Sequence, residues 1–189
     1  MAAFDRDKWL ERAQRRYRKA LDAKRPHARK AYNTDKHFID CLHVVVEWAR
    51  QHGLTVLFNR EVGGDSGGGK WIADERIIEV SPCSLPEYQF YTVLHEAGHY
   101  LLQGTGSPRK SYVERYGEGY TKAGNNHALE KKIEHRLAVL DEEFEAWHRG
   151  RKLADRLKLE IDEAKYTSVR NRMLKSYVGW VLTPNKYKD

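Results

Sequence analysis

Apolar residues recur at helical spacing in five stretches of the chain, and a short region among them changes to strand-like texture. Near the start, Trp9, Leu10, Ala13, Tyr17, Ala20 and Leu21 form one stripe and predict an amphipathic helix whose apolar side docks on the rest of the domain. Phe38, Ile39, Leu42, Val45, Val46 and Ala49 predict a second helix over 35–52, ended by Gly53. Residues 54–59, 71–74 and 76–80 then read as three short strands bounded by turn residues. The helical period returns with Tyr88, Tyr91, Leu94, Leu101 and Leu102, predicting a helix over 88–103 that stops at Gly104. A long helical pattern starts near His127 and runs, with a break at Gly150, to about Leu159; another spans 167–182, before Pro184. These elements describe an α+β fold, a small sheet of about three strands packed against the 88–103 helix with additional helices at both ends.

Two local patterns refine this outline. Ser84-Leu85-Pro86-Glu87 reads as a capping box that starts the 88–103 helix, with Pro86 tolerated in its first turn. Gly63-Gly64-Asp65-Ser66-Gly67-Gly68-Gly69-Lys70 resembles a phosphate-binding loop over seven positions, but Trp71 stands where that loop needs a magnesium-binding Ser or Thr. A strand rather than a helix is expected to follow, so no helix amino terminus completes an anion site. The segment is expected to be a hairpin loop between the first two strands, without nucleotide chemistry.

Length and composition fit one soluble domain over 1–189, with 40% hydrophobic and 32% charged residues. No apolar stretch approaches the roughly 18 residues needed to cross a bilayer, and the opening residues lack a signal-peptide apolar core, so a cytoplasmic protein without membrane contact is expected. Cys41 and Cys83 match no paired-cysteine zinc pattern and are expected as reduced thiols. The net charge of +7 is concentrated in residues 1–30, which hold eleven Lys or Arg against four acids, whereas the remaining 159 residues carry 23 of each. Arg12, Arg15, Arg16, Arg18 and Lys19 would face solvent or an anionic partner, and nucleic acid is the obvious one.

The chemistry centres on His95-Glu96-Ala97-Gly98-His99. On a helix, residues four apart lie above one another, so both imidazoles can reach one zinc ion while Glu96 is close enough to a water there to act as base. The bland alternative is a core helix carrying two histidines, each of which would then need another hydrogen-bond partner. A catalytic zinc holds three protein ligands, which leaves one to find. Within Asp141-Glu142-Glu143-Phe144-Glu145, Glu143 lies on the apolar face made by Val139, Leu140, Ala146, Trp147 and Gly150, where a carboxylate is costly unless it is paired or binds a cation. Glu142 is the reserve, and His127, His135 and His148 are weaker candidates. Tyr112, Tyr116 and Tyr120, spaced by four, are candidates to line a substrate cleft, where a phenol could stabilise an oxyanion.

With these residues in view, the region 54–150 resembles gluzincin-type zinc metallopeptidases, in particular the compact ImmA/IrrE-like group. The likeness rests on a short sheet, the His95-Glu96-Ala97-Gly98-His99 helix and a second helix with Glu143 three residues before Ala146; here Trp147 follows, where that group often has Asn. The metzincin pattern is absent, because Leu102 and Thr105 occupy its Gly and third-His positions. SprT-like proteases remain an alternative through His127 or His135. The resemblance implies a zincin-like catalytic core over 54–150, preceded by the basic helical segment 1–30 and followed by C-terminal helices over 151–189. It implies zinc on His95, His99 and Glu143, with Glu96 as general base for peptide-bond hydrolysis of a regulatory or DNA-associated protein. Two rival expectations stand beside it: a nucleic-acid-binding or interaction protein with a structural or vestigial zinc site, and a zinc hydrolase of a non-peptide amide or ester.

Overall fold

The computed structural model describes residues 2–62, 68–103 and 132–183. Among these residues the order is β1 (Ala2–Ala3), α1 (Arg6–Asp22), α2 (Ala28–Gln51), β2 (Thr55–Phe58), β3 (Gly69–Ile72), β4 (Ile77–Val80), α3 (Pro86–Gln103), α4 (Ile133–Arg156) and α5 (Glu163–Leu182). The fold is α+β and mostly helical. No helix among the described residues is long and apolar enough to cross a membrane.

The sheet runs β1-β2-β4-β3, with β2 parallel to β4 and both outer pairs antiparallel. Register follows burial: Val56 pairs with Ile78 and Phe58 with Val80, and all four side chains point into the core. This order corrects one expectation. The segment after β2 does not close a hairpin, because β2 and β3 are not neighbours; it carries the chain past β4 to the far edge. The hairpin is β3–β4, turned at residues 73–76 with Arg76 in the left-handed region (φ 55°). That polar turn is why β3 covers 69–72 rather than 71–74, since Ala73 and Asp74 belong to the turn. Residues 63–67 of the glycine-rich stretch lie outside the described residues, and β3 does follow it.

Helix α1 begins at Asp5, whose carboxylate accepts from Lys8 N, and buries Trp9 and Ala13. Trp9 packs on Phe58 (centroids 4.9 Å apart) and on Phe4, so the basic segment is fastened to the sheet by aromatic contact. Helix α2 starts seven residues earlier than its apolar stripe predicts and ends at Gly53, which takes φ 71°. The packing centres on α3, whose residues from Gln89 to His99 are buried under α2, the sheet and α4. Pro86 holds its first helical position, so the expected Ser84 cap is displaced by a residue. The Gln89 amide instead donates to the carbonyls of Ser81 and Ser84, and Glu87 pairs with Lys165 of α5.

The expected break at Gly150 is absent: α4 is continuous from Ile133 to Arg156. Gly150 is there for proximity, since a β-carbon on it would lie 2.3 Å from the Leu94 carbonyl oxygen of α3. Gly98 plays the same part from the other side, with Ala146 O 1.9 Å from where its β-carbon would be. The two helices therefore touch backbone to backbone at two points along α4, about one turn apart.

Candidate metal centre

The backbone contact at Gly98 and Gly150 brings one face of α4 onto the His95 and His99 face of α3. Glu143, one turn before Trp147, reaches both imidazoles: its Oε2 lies 3.1 Å from His95 Nε2 and its Oε1 3.5 Å from His99 Nε2. Donors sharing one tetrahedral zinc at ordinary bond lengths are separated by about 3.3–3.6 Å. His95, His99 and Glu143 offer three ligand atoms within 4.8 Å of one another, the one such group of three or more among the described residues. Two imidazoles and a carboxylate form a donor set suited to zinc with a position left open.

Glu142 has a different place. It meets His99 from the opposite side, with Nδ1 3.2 Å from its Oε1. An ionised carboxylate only accepts, so Nδ1–H donates to it, which leaves Nε2, on the Glu143 side, as the ring nitrogen available to a metal ion. A carboxylate placed in this way fixes the tautomer and direction of the ring, as outer carboxylates do in histidine metal sites. His95 is held by contact instead, stacked on Trp147 at 4.5 Å and 23°, and its buried Nδ1 has no hydrogen-bond partner among the described residues.

The electrostatics favour positive charge between the two helices. Burial alone would raise the Glu143 carboxyl, but hydrogen bonds from His95 and His99 outweigh it and hold the group well below the usual carboxylate range. Burial would likewise lower His99, and its bonds to Glu142 and Glu143 drive it well above its ordinary value. Without a cation, a protonated imidazole neutralises the buried carboxylates; a divalent ion is the chemically equivalent occupant. The donor set, spacing and charge thus fit a metal ion.

Glu96 lies close enough to these groups to feel the charges of His95, His99 and Glu143. It is buried beneath β3, accepts a hydrogen bond from the Trp71 backbone N–H, and burial pushes its pKa up despite the neighbouring His95 and His99. Gly69 lies above it, where a β-carbon would fall 2.8 Å from Glu96 Oε1. A carboxylate with a raised pKa next to a candidate metal position is suited both to take a proton and to return it.

Of the other sequence candidates, His135 is half-buried and His148 exposed, and neither joins the ligand group. His127, Tyr112, Tyr116 and Tyr120 lie outside the described residues. Tyr177 of α5 was missed by the sequence reading. Its phenol, pushed well above its usual pKa by burial and then by the charge of Glu143, hydrogen-bonds to Glu143, with Glu96 and Glu142 nearby. The signal was present, because Tyr177 lies about three turns beyond buried Tyr166 and therefore on the same helix face. Tyr166 in turn donates to Trp147 O at 2.7 Å, and Arg136 donates to Val181 O, which sets the register of α5 along α4.

Comparison with protein-family models, curated proteins and solved structures returns no match to this chain.

Proposed function

We propose that the chain is a zinc-dependent metallopeptidase that hydrolyses a peptide bond in a protein substrate, with His95, His99 and Glu143 as ligands and Glu96 as general base. The observation that carries this reading is the convergence of His95 Nε2, His99 Nε2 and Glu143 from two helices, with buried Glu96 on the same helix as the histidines. Zinc held there would supply Lewis acidity, polarising a carbonyl and acidifying a water. Glu96 is placed to accept a proton from the attacking water and would return it to the departing amine. Glu142 holds the His99 ring in place, and Trp147 holds that of His95. The outer strand β3 runs beside Glu96, where main-chain hydrogen bonds can align an extended peptide, which favours a peptide over a small amide.

The test is a Glu96→Gln variant examined by metal analysis and by cleavage of a fluorescence-quenched peptide library. It should retain about one zinc per chain and lose turnover by roughly 100-fold or more, within the range of general acid–base contributions. Equal turnover of variant and wild type sinks the reading.

A second reading is favoured by one observation, the arrangement of charge on α1. Lys8, Arg12, Arg15 and Lys19 share one exposed face of the helix that flanks the Trp9 and Ala13 stripe, with the Arg12 guanidinium over the Trp9 ring, whereas Arg6 and Arg16 turn toward α2 and pair with Asp40 and Asp35. Such a stripe suits the phosphate backbone of a nucleic acid, beside peptidase activity or in place of it.

A further inference from the structure

The glycine-rich stretch ahead of β3 ends at Gly69, which lies directly against Glu96. A β-carbon on Gly69 would lie 2.8 Å from Glu96 Oε1, 3.0 Å from Glu96 Cγ and 2.5 Å from Thr92 Cγ2. The carboxylate of Glu96 thus occupies the space that any other residue at position 69 would fill with its own side chain. Two residues on, the Trp71 N–H donates to the same carboxylate. The first strand residues thus present Glu96 with an opening at Gly69 and a backbone donor at Trp71. The strand is fixed at this height by Ser81 N, which donates to Gly68 O at 2.8 Å, and by the pairing of Gly69 with Val80.

We infer that Gly69 is a positioning residue for Glu96: its missing side chain lets the carboxylate lie against β3 and take the Trp71 N–H, which aims the second carboxylate oxygen. This inference rests on the reading of Glu96 as general base, but the placement itself can be tested without any activity. A side chain at position 69 must push away Glu96, Thr92 or both. Thr92 Oγ1 is already committed to Tyr88 O at 2.8 Å, so Thr92 is held in its rotamer. A Thr92→Ser change keeps that hydroxyl and deletes the crowding methyl group, which leaves Glu96 as the remaining obstacle.

The experiment compares wild type, Thr92→Ser, Gly69→Ala/Thr92→Ser and Glu96→Gln by the amide resonance of Trp71, zinc stoichiometry and steady-state cleavage of a quenched peptide. Thr92→Ser alone should behave as wild type. In Gly69→Ala/Thr92→Ser the Trp71 amide should move upfield, in the same sense as in Glu96→Gln, because both lose the charged acceptor. Zinc content and KM should hold while kcat falls by about 100-fold, the scale expected for a catalytic group misplaced by about 1 Å. An unmoved Trp71 amide in the double variant, or wild-type kcat, overturns the inference and leaves Gly69 as a packing residue against Thr92. If the amide moves but even wild type cleaves no peptide, the placement stands and the peptidase reading fails. Should the double variant fail to fold, Gly69→Ser, read by the same amide, replaces it.

Discussion

Glu142 and Glu143 are neighbours on α4, yet they meet opposite nitrogens of one imidazole: Nδ1 of His99 faces the first and Nε2 the second. The arrangement separates their roles by affinity. Replacing an outer-shell partner typically weakens metal binding by about 10–100-fold, and replacing a ligand costs more. Glu142→Gln should therefore lower zinc affinity within that range and Glu143→Gln should lower it further, as read by competition with a chelator. The reverse order would make Glu142 the ligand. Glu143 could be singled out from sequence because its helical neighbours are apolar, which makes an unpaired carboxylate there expensive. The separate use of Glu142 could not, since it depends on the direction from which α4 crosses α3. The same holds for Tyr177, whose helix face was legible but whose opposite partner was not.

At the level of elements, the distance between α3 and α4 is set by two residues without side chains. Replacing a solvent-facing helical glycine with alanine stabilises a helix by roughly 1 kcal/mol. At Gly98 the added methyl group would meet Ala146 O at 1.9 Å, a backbone atom that cannot swing away. Overpacking of this kind costs about 1–3 kcal/mol and outweighs the helix preference. Gly98→Ala should thus lower the thermal midpoint and, by pushing Glu143 away from the histidines, weaken zinc binding together with stability. A variant as stable as wild type with unchanged affinity would show that the helices have slack. Periodicity located α1 to α5 and the three main strands because burial imposes it directly on the sequence. It misread Gly150 as a break, since a glycine that ends a helix and one that admits a neighbouring backbone look alike in one dimension. Strand order was hidden for a related reason: alternation marks which face is buried and is silent on which strands pair.

Across the whole molecule, charge is divided as unevenly as chemistry, with the net +7 confined to the first thirty residues and the candidate site on the far side of the chain's order. Changing Lys8, Arg12, Arg15 and Lys19 to Gln removes four cations that pair with no acid among the described residues. If they contact phosphates, the slope of log K against log salt for a duplex DNA fragment should become shallower by about 3–4, at about 0.9 per contact. Wild-type binding that is undetectable at low salt, or a slope the four changes leave alone, removes nucleic acid from consideration. A metal ion at His95, His99 and Glu143 would also couple occupancy to folding. His99 and Glu142 stand 43 residues apart in the chain and are already joined by a hydrogen bond, so an ion bridging α3 and Glu143 would tie the ends of the same long loop a second time. Such an ion would act as a clasp: each tenfold rise in its free concentration above Kd would add about 1.4 kcal/mol to stability. Scarcity of the metal would first be felt as a loosening of the helix pair and not merely as lost turnover.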